Sequence, residues 1–128
     1  MKNFLVVDDQ AGWRKFNTQV LYSILDDDID IDVACSAGEA YDKVLENASS
    51  PYDCIITDMQ MEGDYAPKHA GEWLIEQIKM IESYKNSKII IVSASPMLEH
   101  IAENYGVFFI RKASLASSID SYKELITI

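Results

Sequence analysis

Short apolar runs alternate with helix-length amphipathic stretches along this 128-residue chain, and the alternation limits the folds that it can adopt. The first run, residues 3–7, is almost entirely apolar and ends in two aspartates, which is typical of a strand buried on both faces. Similar candidate strands follow at residues 29–34, 54–57, 88–92 and 107–110. Strands that alternate with helices predict a parallel sheet that is covered by helices on both faces.

Helical periodicity fills the segments between these strands. Apolar residues recur at helical spacing from Trp13 to residue 25 and again over residues 71–84. Ser36 and Glu39 have the spacing of a capping box and open a second helix. A short helix begins near Pro96, and a last one spans residues 114–126. We therefore predict an α/β fold, a flavodoxin-like, doubly wound, five-stranded parallel sheet in the order 2-1-3-4-5 with five helices.

Composition narrows the classes of function. The net charge of −10 argues against direct binding to nucleic acid, because an acidic surface repels phosphate backbones. No apolar run approaches the ~20 residues of a membrane span, and residues 1–7 are too short for a signal peptide. We expect a cytoplasmic protein with one domain over residues 1–128. Cys35 and Cys54 lie in apolar, strand-like sequence contexts and are predicted to be reduced and buried.

Three aspartates stand at the ends of two predicted strands. Asp8 and Asp9 follow the first strand, and Asp58 follows the third. In the predicted topology these two strand ends border the crevice in which such sheets bind ligands. Carboxylates that meet in one crevice repel one another unless they are protonated or bind a hard divalent cation. Mg²⁺ prefers oxygen ligands and often recruits a phosphate oxygen, so the aspartates indicate a cation and phosphate chemistry.

Two further strand ends carry groups that suit this chemistry. Ser93 ends the fourth strand with a hydroxyl, and the small Ala94 leaves room for a phosphate to approach its backbone N–H. Lys112 follows the fifth strand with an ammonium that can reach the crevice. Phosphoryl transfer requires mainly alignment and neutralisation of the phosphoryl oxygens, which a cation, a hydroxyl and a lysine can provide.

Four motifs resemble, in order, the signature of response-regulator receiver domains. They are Val6-Val7-Asp8-Asp9, Ile55-Ile56-Thr57-Asp58-Met59, Val92-Ser93-Ala94 and Ile110-Arg111-Lys112. The resemblance covers the whole chain and is to the chemotaxis-type single-domain regulators. It implies that Asp58 is the phosphoacceptor, that Asp9 binds Mg²⁺ directly, and that Asp8 binds it largely through water. It also implies that Gln60 offers its backbone carbonyl to the metal.

The same resemblance implies a switch. Ser93 would turn towards the phosphoryl group, Lys112 would pair with a phosphoryl oxygen, and Phe109 would be the rotating aromatic residue. The chain departs from the family pattern at three places. The segment from Asp58 to Gly71 is longer than usual, that from Ser93 to Lys112 is shorter and predicts an abbreviated helix 4, and Ala113 replaces a proline.

The function implied is a phosphorylation-dependent switch of a two-component phosphorelay. A sensor histidine kinase or phosphotransfer protein would donate the phosphoryl group, and an effector protein or domain would respond. Such a protein catalyses only its own phosphorylation and dephosphorylation. One alternative is a degenerate receiver that binds proteins without phosphorylation. Another is a phosphohydrolase with an aspartate nucleophile, although Gln60 stands where such enzymes usually carry a second aspartate.

Simpler interpretations of single residues stay open at this point. Asp8 and Asp9 alone could form a polar turn, and a one-residue slip would give the role of Lys112 to Arg111. Phe109, Trp13 and Trp73 are as readily explained as core residues, and His69 and His100 as surface residues. Whether the chain acts alone or is a module of a longer protein is also open.

Overall fold

A computed structural model of the chain describes residues 2–25, 28–61, 70–112, 120 and 122–125. Its strands form one parallel sheet in the order β2-β1-β3-β4-β5, as predicted. The strands are β1 (Lys2–Val7), β2 (Ile29–Ala34), β3 (Cys54–Asp58), β4 (Lys88–Ser93) and β5 (Phe108–Arg111). The helices are α1 (Ala11–Leu25), α2 (Ala37–Glu46), α3 (Ala70–Lys79) and α4 (Leu98–Tyr105), and residues 120 and 122–125 belong to a last helix, α5.

Two apolar clusters, one on each face of the sheet, explain why the central strands are apolar throughout. Alternate residues of β1 point to opposite faces, so Leu5 packs in the cluster with α2, α3 and α4, whereas Val6 packs in the cluster with α1 and α5. The same alternation separates Ile55 from Ile56 on β3. Helices on both faces therefore bury most of the three central strands, β1, β3 and β4, and the polar groups of the candidate site stand at the strand ends.

The helix predicted over residues 71–84 is shorter in the structure. α3 ends at Lys79, the backbone at Ile81 is extended, and a separate 3₁₀ helix follows (Glu82–Tyr84). The break lets the buried Tyr84 turn back towards α2, where its hydroxyl donates a hydrogen bond of 2.8 Å to the Val44 carbonyl. The apolar period continues through the break, so the pattern alone did not reveal it.

α4 starts later than predicted and is short, as expected. Pro96 lies in the turn before it, and α4 has eight residues from Leu98. The Ser95 hydroxyl accepts a hydrogen bond of 3.1 Å from the Met97 N–H in this turn. Gly106 ends the helix with a φ of 66°, in the left-handed region that glycine adopts without steric cost.

One prediction about the cysteines is wrong. Cys54 is buried in β3, as predicted, but Cys35 is exposed. β2 lies at the edge of the sheet and ends at Ala34, so Cys35 already belongs to the turn into α2. Ser36 caps α2 as predicted, accepting a hydrogen bond of 3.1 Å from the Glu39 N–H. The Glu39 carboxylate accepts one of 2.8 Å from the Cys35 N–H, one residue earlier than in a standard capping box.

Several predictions fall partly or wholly beyond the described residues. They concern residues 62–69 of the long loop, which include His69, then Ala113 and most of the last helix. Within the described ranges, no helix is long and apolar enough to cross a membrane.

Candidate functional site

The sheet brings the predicted site residues to one edge. Val7 pairs with Thr57 in the parallel ladder of β1 and β3. Each of these two residues is followed by an aspartate: Asp8 comes directly after β1, and Asp58 is the last residue of β3. Because parallel strands end at the same edge, these carboxylates lie side by side, and Asp9 follows at the start of the loop to α1.

β4 and β5 complete this edge of the sheet. Asp58 pairs with Val92 in the ladder of β3 and β4, so Ser93 lies one residue further along β4. Ser93 is buried, and its carbonyl accepts a hydrogen bond of 2.9 Å from the Lys112 N–H. This backbone hydrogen bond therefore places Lys112, the residue after β5, beside Ser93 at the same edge of the sheet. Four strands contribute to the site because their ends are in register, as the sequence predicted.

The three aspartates form a compact oxygen cluster. One carboxylate oxygen from each of Asp8, Asp9 and Asp58 lies within 4.8 Å of the others. Asp8 and Asp58 are only 1% and 6% exposed, so water screens their charges poorly. Such a cluster of hard oxygen donors fits a divalent cation of the Mg²⁺ class, which these three residues could hold together.

Lys112 supplies a positive charge inside this cluster. Its Nζ lies 3.2 Å from Asp8 Oδ2 and 3.1 Å from Asp58 Oδ1, and the side chain is 12% exposed. Arg111 is directed elsewhere, donating a hydrogen bond of 3.3 Å to the Ser95 carbonyl and lying 3.8 Å from the Glu99 carboxylate. Of these two neighbouring residues, Lys112 is therefore the one whose side chain contacts Asp8 and Asp58.

Electrostatics make Asp58 an unusual carboxyl group. Burial raises its pKa to about 6, and the charges of Asp8 and Asp9 act in the same direction, whereas Lys112 lowers it. The ammonium of Lys112 contacts both Asp8 and Asp58 and so balances part of the charge of the cluster. A bound divalent cation would offset the remaining negative charge and favour the ionised, nucleophilic form of Asp58.

The other predicted site residues, Ser93, Gln60 and Phe109, differ in their burial and in their contacts. The Ser93 hydroxyl accepts a hydrogen bond of 3.0 Å from the Ser95 N–H and so holds the turn after β4. Gln60 is exposed two residues beyond Asp58. Phe109 is partly buried against the apolar cluster on the face of the sheet that α2, α3 and α4 cover. The Arg111 guanidinium lies 5.9 Å from its ring centroid.

Two further residues contact this site, although the sequence did not predict them there. The helical spacing predicts Trp13 to be a core residue of α1, but its ring centroid lies 4.8 Å from Lys112 Nζ. Gly71 is the second residue of α3, and its N–H donates a hydrogen bond of 3.0 Å to the carbonyl of Met59, the residue after Asp58. The position of Trp13 only four residues after Asp9 was the available signal. His100 is exposed, in agreement with its treatment as a surface residue.

Comparison with known protein families identifies this arrangement. The family model of the response regulator receiver domain matches residues 4–112, from β1 to Lys112. The chain belongs to the response regulator receiver domain family. Receiver domains bind Mg²⁺ at a cluster of aspartates, and Asp8, Asp9 and Asp58 form a potential metal site of this kind. A search of curated protein sequences found no match to this receiver domain.

Solved structures agree on the fold. The chemotaxis protein CheY4 of Vibrio cholerae has a TM-score of 0.74 at 20% identity, covering 98% of this chain and 99% of that one. The receiver domain of a DNA-binding response regulator from Colwellia psychrerythraea has a TM-score of 0.74 at 18% identity, with 100% of both chains covered. The receiver domain of the hybrid histidine kinase CckA has a TM-score of 0.64 at 20% identity, covering 95% and 96%.

Proposed function

We propose that this receiver domain is a phosphorylation-dependent switch that accepts a phosphoryl group on Asp58 with the help of Mg²⁺. The observation that carries the proposal is the position of Asp58, at the end of β3, inside the cluster of three carboxylates and 3.1 Å from Lys112 Nζ. Family membership supports the same role, because receiver domains generally act as signalling switches.

Each residue of the site has a part in the proposed reaction. A carboxylate oxygen of Asp58 forms a bond to phosphorus while the bond from phosphorus to the donor histidine nitrogen breaks. Asp8, Asp9 and Asp58, with the backbone carbonyl of Gln60, would hold Mg²⁺, which neutralises the phosphoryl oxygens when bound. Lys112 is already directed at the cluster and would pair with one of these oxygens.

Ser93 and Phe109 would couple phosphorylation of Asp58 to a conformational change at the protein surface. A phosphoryl group on Asp58 adds acceptor oxygens towards which the Ser93 hydroxyl can turn. That hydroxyl holds the Ser95 N–H at 3.0 Å, so its movement would alter the turn between β4 and α4. Phe109 pairs with Ile91 in the ladder of β4 and β5, and the Arg111 guanidinium lies 5.9 Å from its ring centroid, a position from which the ring could follow. The result would be a shift between two conformations.

The proposed partners are those of a two-component phosphorelay. A sensor histidine kinase or phosphotransfer protein would supply the phosphoryl group, and an effector protein or domain would bind the switched surface. The charge of −10 argues against direct contact with nucleic acid, and we expect the protein to act in the cytoplasm. The unit proposed to carry this function is the single domain over residues 1–128.

Intact mass spectrometry tests the proposal. The protein is incubated with acetyl phosphate, with and without Mg²⁺, as the wild type, Asp58→Asn and Asp42→Asn. Asp42 is an exposed aspartate of α2 and serves as the matched control. We expect one phosphoryl adduct on the wild type and on Asp42→Asn, only with Mg²⁺, and none on Asp58→Asn. An adduct that persists on Asp58→Asn refutes the assignment.

A negative result on the wild type has a different meaning. It calls for the same assay with histidine kinases as donors, and Mg²⁺ binding without phosphorylation by any of them would support the degenerate, protein-binding receiver. Rapid turnover of a phosphomonoester at catalytic protein concentration would instead support the phosphohydrolase.

A further inference from the structure

The indole of Trp13 lies against the ammonium of Lys112. Trp13 stands in the first turn of α1, and Lys112 Nζ lies 4.8 Å from its ring centroid, within the range of a cation–π interaction. The ammonium has two kinds of neighbour, the carboxylates of Asp8 and Asp58 at 3.2 and 3.1 Å and the face of the indole. An aromatic face therefore contributes to the surroundings of the ammonium that contacts Asp8 and Asp58.

The ring itself is held in place. Trp13 is partly buried, and its ring meets that of Phe16 edge to face, with centroids 5.4 Å apart and planes at 90°. Phe16 packs in turn against the apolar cluster beneath α1. A side chain anchored in this way loses little further freedom when it contacts the ammonium. A lysine by contrast has a flexible four-carbon stem and several rotamers to lose.

We propose that Trp13 is a positioning residue that restrains the ammonium of Lys112 at the phosphoacceptor site. The inference rests on the proposed function, because the position of Lys112 affects phosphoryl transfer only if Asp58 accepts the group. Loss of the ring would let the ammonium occupy other rotamers, so that fewer molecules hold it where the transferred oxygens develop charge. Trp13 contacts no reacting atom in this proposal and acts through Lys112 alone.

A double-mutant cycle separates positioning from simple packing. The rate of adduct formation from acetyl phosphate at saturating Mg²⁺ is measured for the wild type, Trp13→Leu, Lys112→Met and the double variant. Trp13→Leu should slow the reaction about three- to tenfold, the factor that a partly desolvated cation–π contact provides. In the Lys112→Met background the same substitution should change nothing further, because no ammonium remains to be restrained.

Two more variants sharpen the comparison. Trp13→Phe keeps an aromatic face and should recover most of the lost rate. Trp73→Leu makes the same chemical change elsewhere, on α3, where the indole meets the Tyr41 ring edge to face with centroids 5.6 Å apart, and should leave the rate unchanged. Equal slowing by Trp13→Leu with and without Lys112 overturns the proposal, since the effect would then be one of packing. A rate for Trp13→Leu equal to that of the wild type also overturns it.

Fluorescence tests the contact without any phosphorylation and without altering Trp13. In the Trp73→Phe background Trp13 is the remaining tryptophan, because the chain has two. Lys112→Met should then change the Trp13 emission intensity, and an unchanged spectrum overturns the inference. The two proposals can fail separately. If no donor phosphorylates the wild type, both the proposed function and the role of Trp13 are refuted. If the wild type is phosphorylated but Trp13→Leu does not change the rate, only the role of Trp13 is refuted.

Discussion

Asp58 has to keep a charge in a position where burial and two neighbouring carboxylates oppose it. Its pKa is raised to about 6 from an ordinary 3.8, and Lys112 offsets only part of the effect. A carboxyl group with this pKa is ionised at neutral pH, but at a cost in stability. The same residue environment that makes Asp58 a good candidate nucleophile therefore makes it a weak point of the fold.

The pH dependence of stability should reveal this cost in the absence of divalent cations. The folded state binds the Asp58 proton more tightly than the unfolded state, so its stabilising contribution is complete below about pH 4 and lost as the pH rises through about 6. Asp58→Asn should then exceed the wild type in free energy of unfolding by about 1–3 kcal/mol at about pH 8. The difference should shrink towards about pH 4.

Urea unfolding at the two pH values measures this difference, with Asp42→Asn as the control for loss of an exposed charge. A gain from Asp58→Asn that is the same at both pH values would contradict the assignment, because it would not follow the titration of a buried carboxyl group.

At the scale of elements, the junction of β3 and α3 sets the position of Asp58. Gly71 donates its N–H to the Met59 carbonyl at 3.0 Å, which brings the start of α3 against the end of β3. A Cβ atom on Gly71 would lie 2.2 Å from the Asp58 carbonyl oxygen and 2.7 Å from Met59 Cα. Both are backbone atoms, so a larger residue forces the helix away from the strand.

Gly71→Ala should therefore lower the free energy of unfolding by about 1–3 kcal/mol and slow adduct formation at Asp58. Gly12→Ala is the matched control, because nothing lies within 4 Å of a Cβ added at Gly12 in α1. That variant should leave stability unchanged or raise it by up to about 1 kcal/mol. Urea unfolding and the rate of reaction with acetyl phosphate measure the two effects. Equal behaviour of the two variants would show that the close approach at Gly71 is not a constraint.

At the scale of the whole molecule, a buried hydrogen bond joins the first helix, α1, to the last helix, α5. The Tyr122 hydroxyl donates to Asn17 Oδ1 at 2.5 Å, linking α5 to α1 on one face of the sheet. Both side chains are almost completely buried, 1% and 2% exposed. The bond satisfies two polar groups inside the apolar cluster of that face, where neither has access to water.

Tyr122→Phe should lower the free energy of unfolding by about 1–3 kcal/mol, because the Asn17 amide is left buried without this partner. Tyr22→Phe is the control, since Tyr22 lies on the same helix as Asn17 and is 40% exposed. That change should have little effect. Chemical unfolding followed by circular dichroism measures both variants. A small loss for Tyr122→Phe would mean that water or another group satisfies Asn17.

The sequence by itself determined the sheet, its order and the meeting of the three aspartates. Continuous apolar strands separated by helices restrict the topology, and parallel strands end at one edge, so Asp8 and Asp58 had to be neighbours. Lys112 followed from the same register at the end of β5. These conclusions needed only local patterns and the rule that joins them. They could be drawn before any contact was known.

The tertiary structure decided what depends on contacts between distant segments. The break after Lys79 follows from the bond between Tyr84 and α2, and the exposure of Cys35 follows from the edge position of β2. The ring of Trp13 reached Lys112 although about a hundred positions separate them in the chain. Apolar periodicity reports that a residue faces inward, but not which charged group meets it there. That information exists only once the elements have packed.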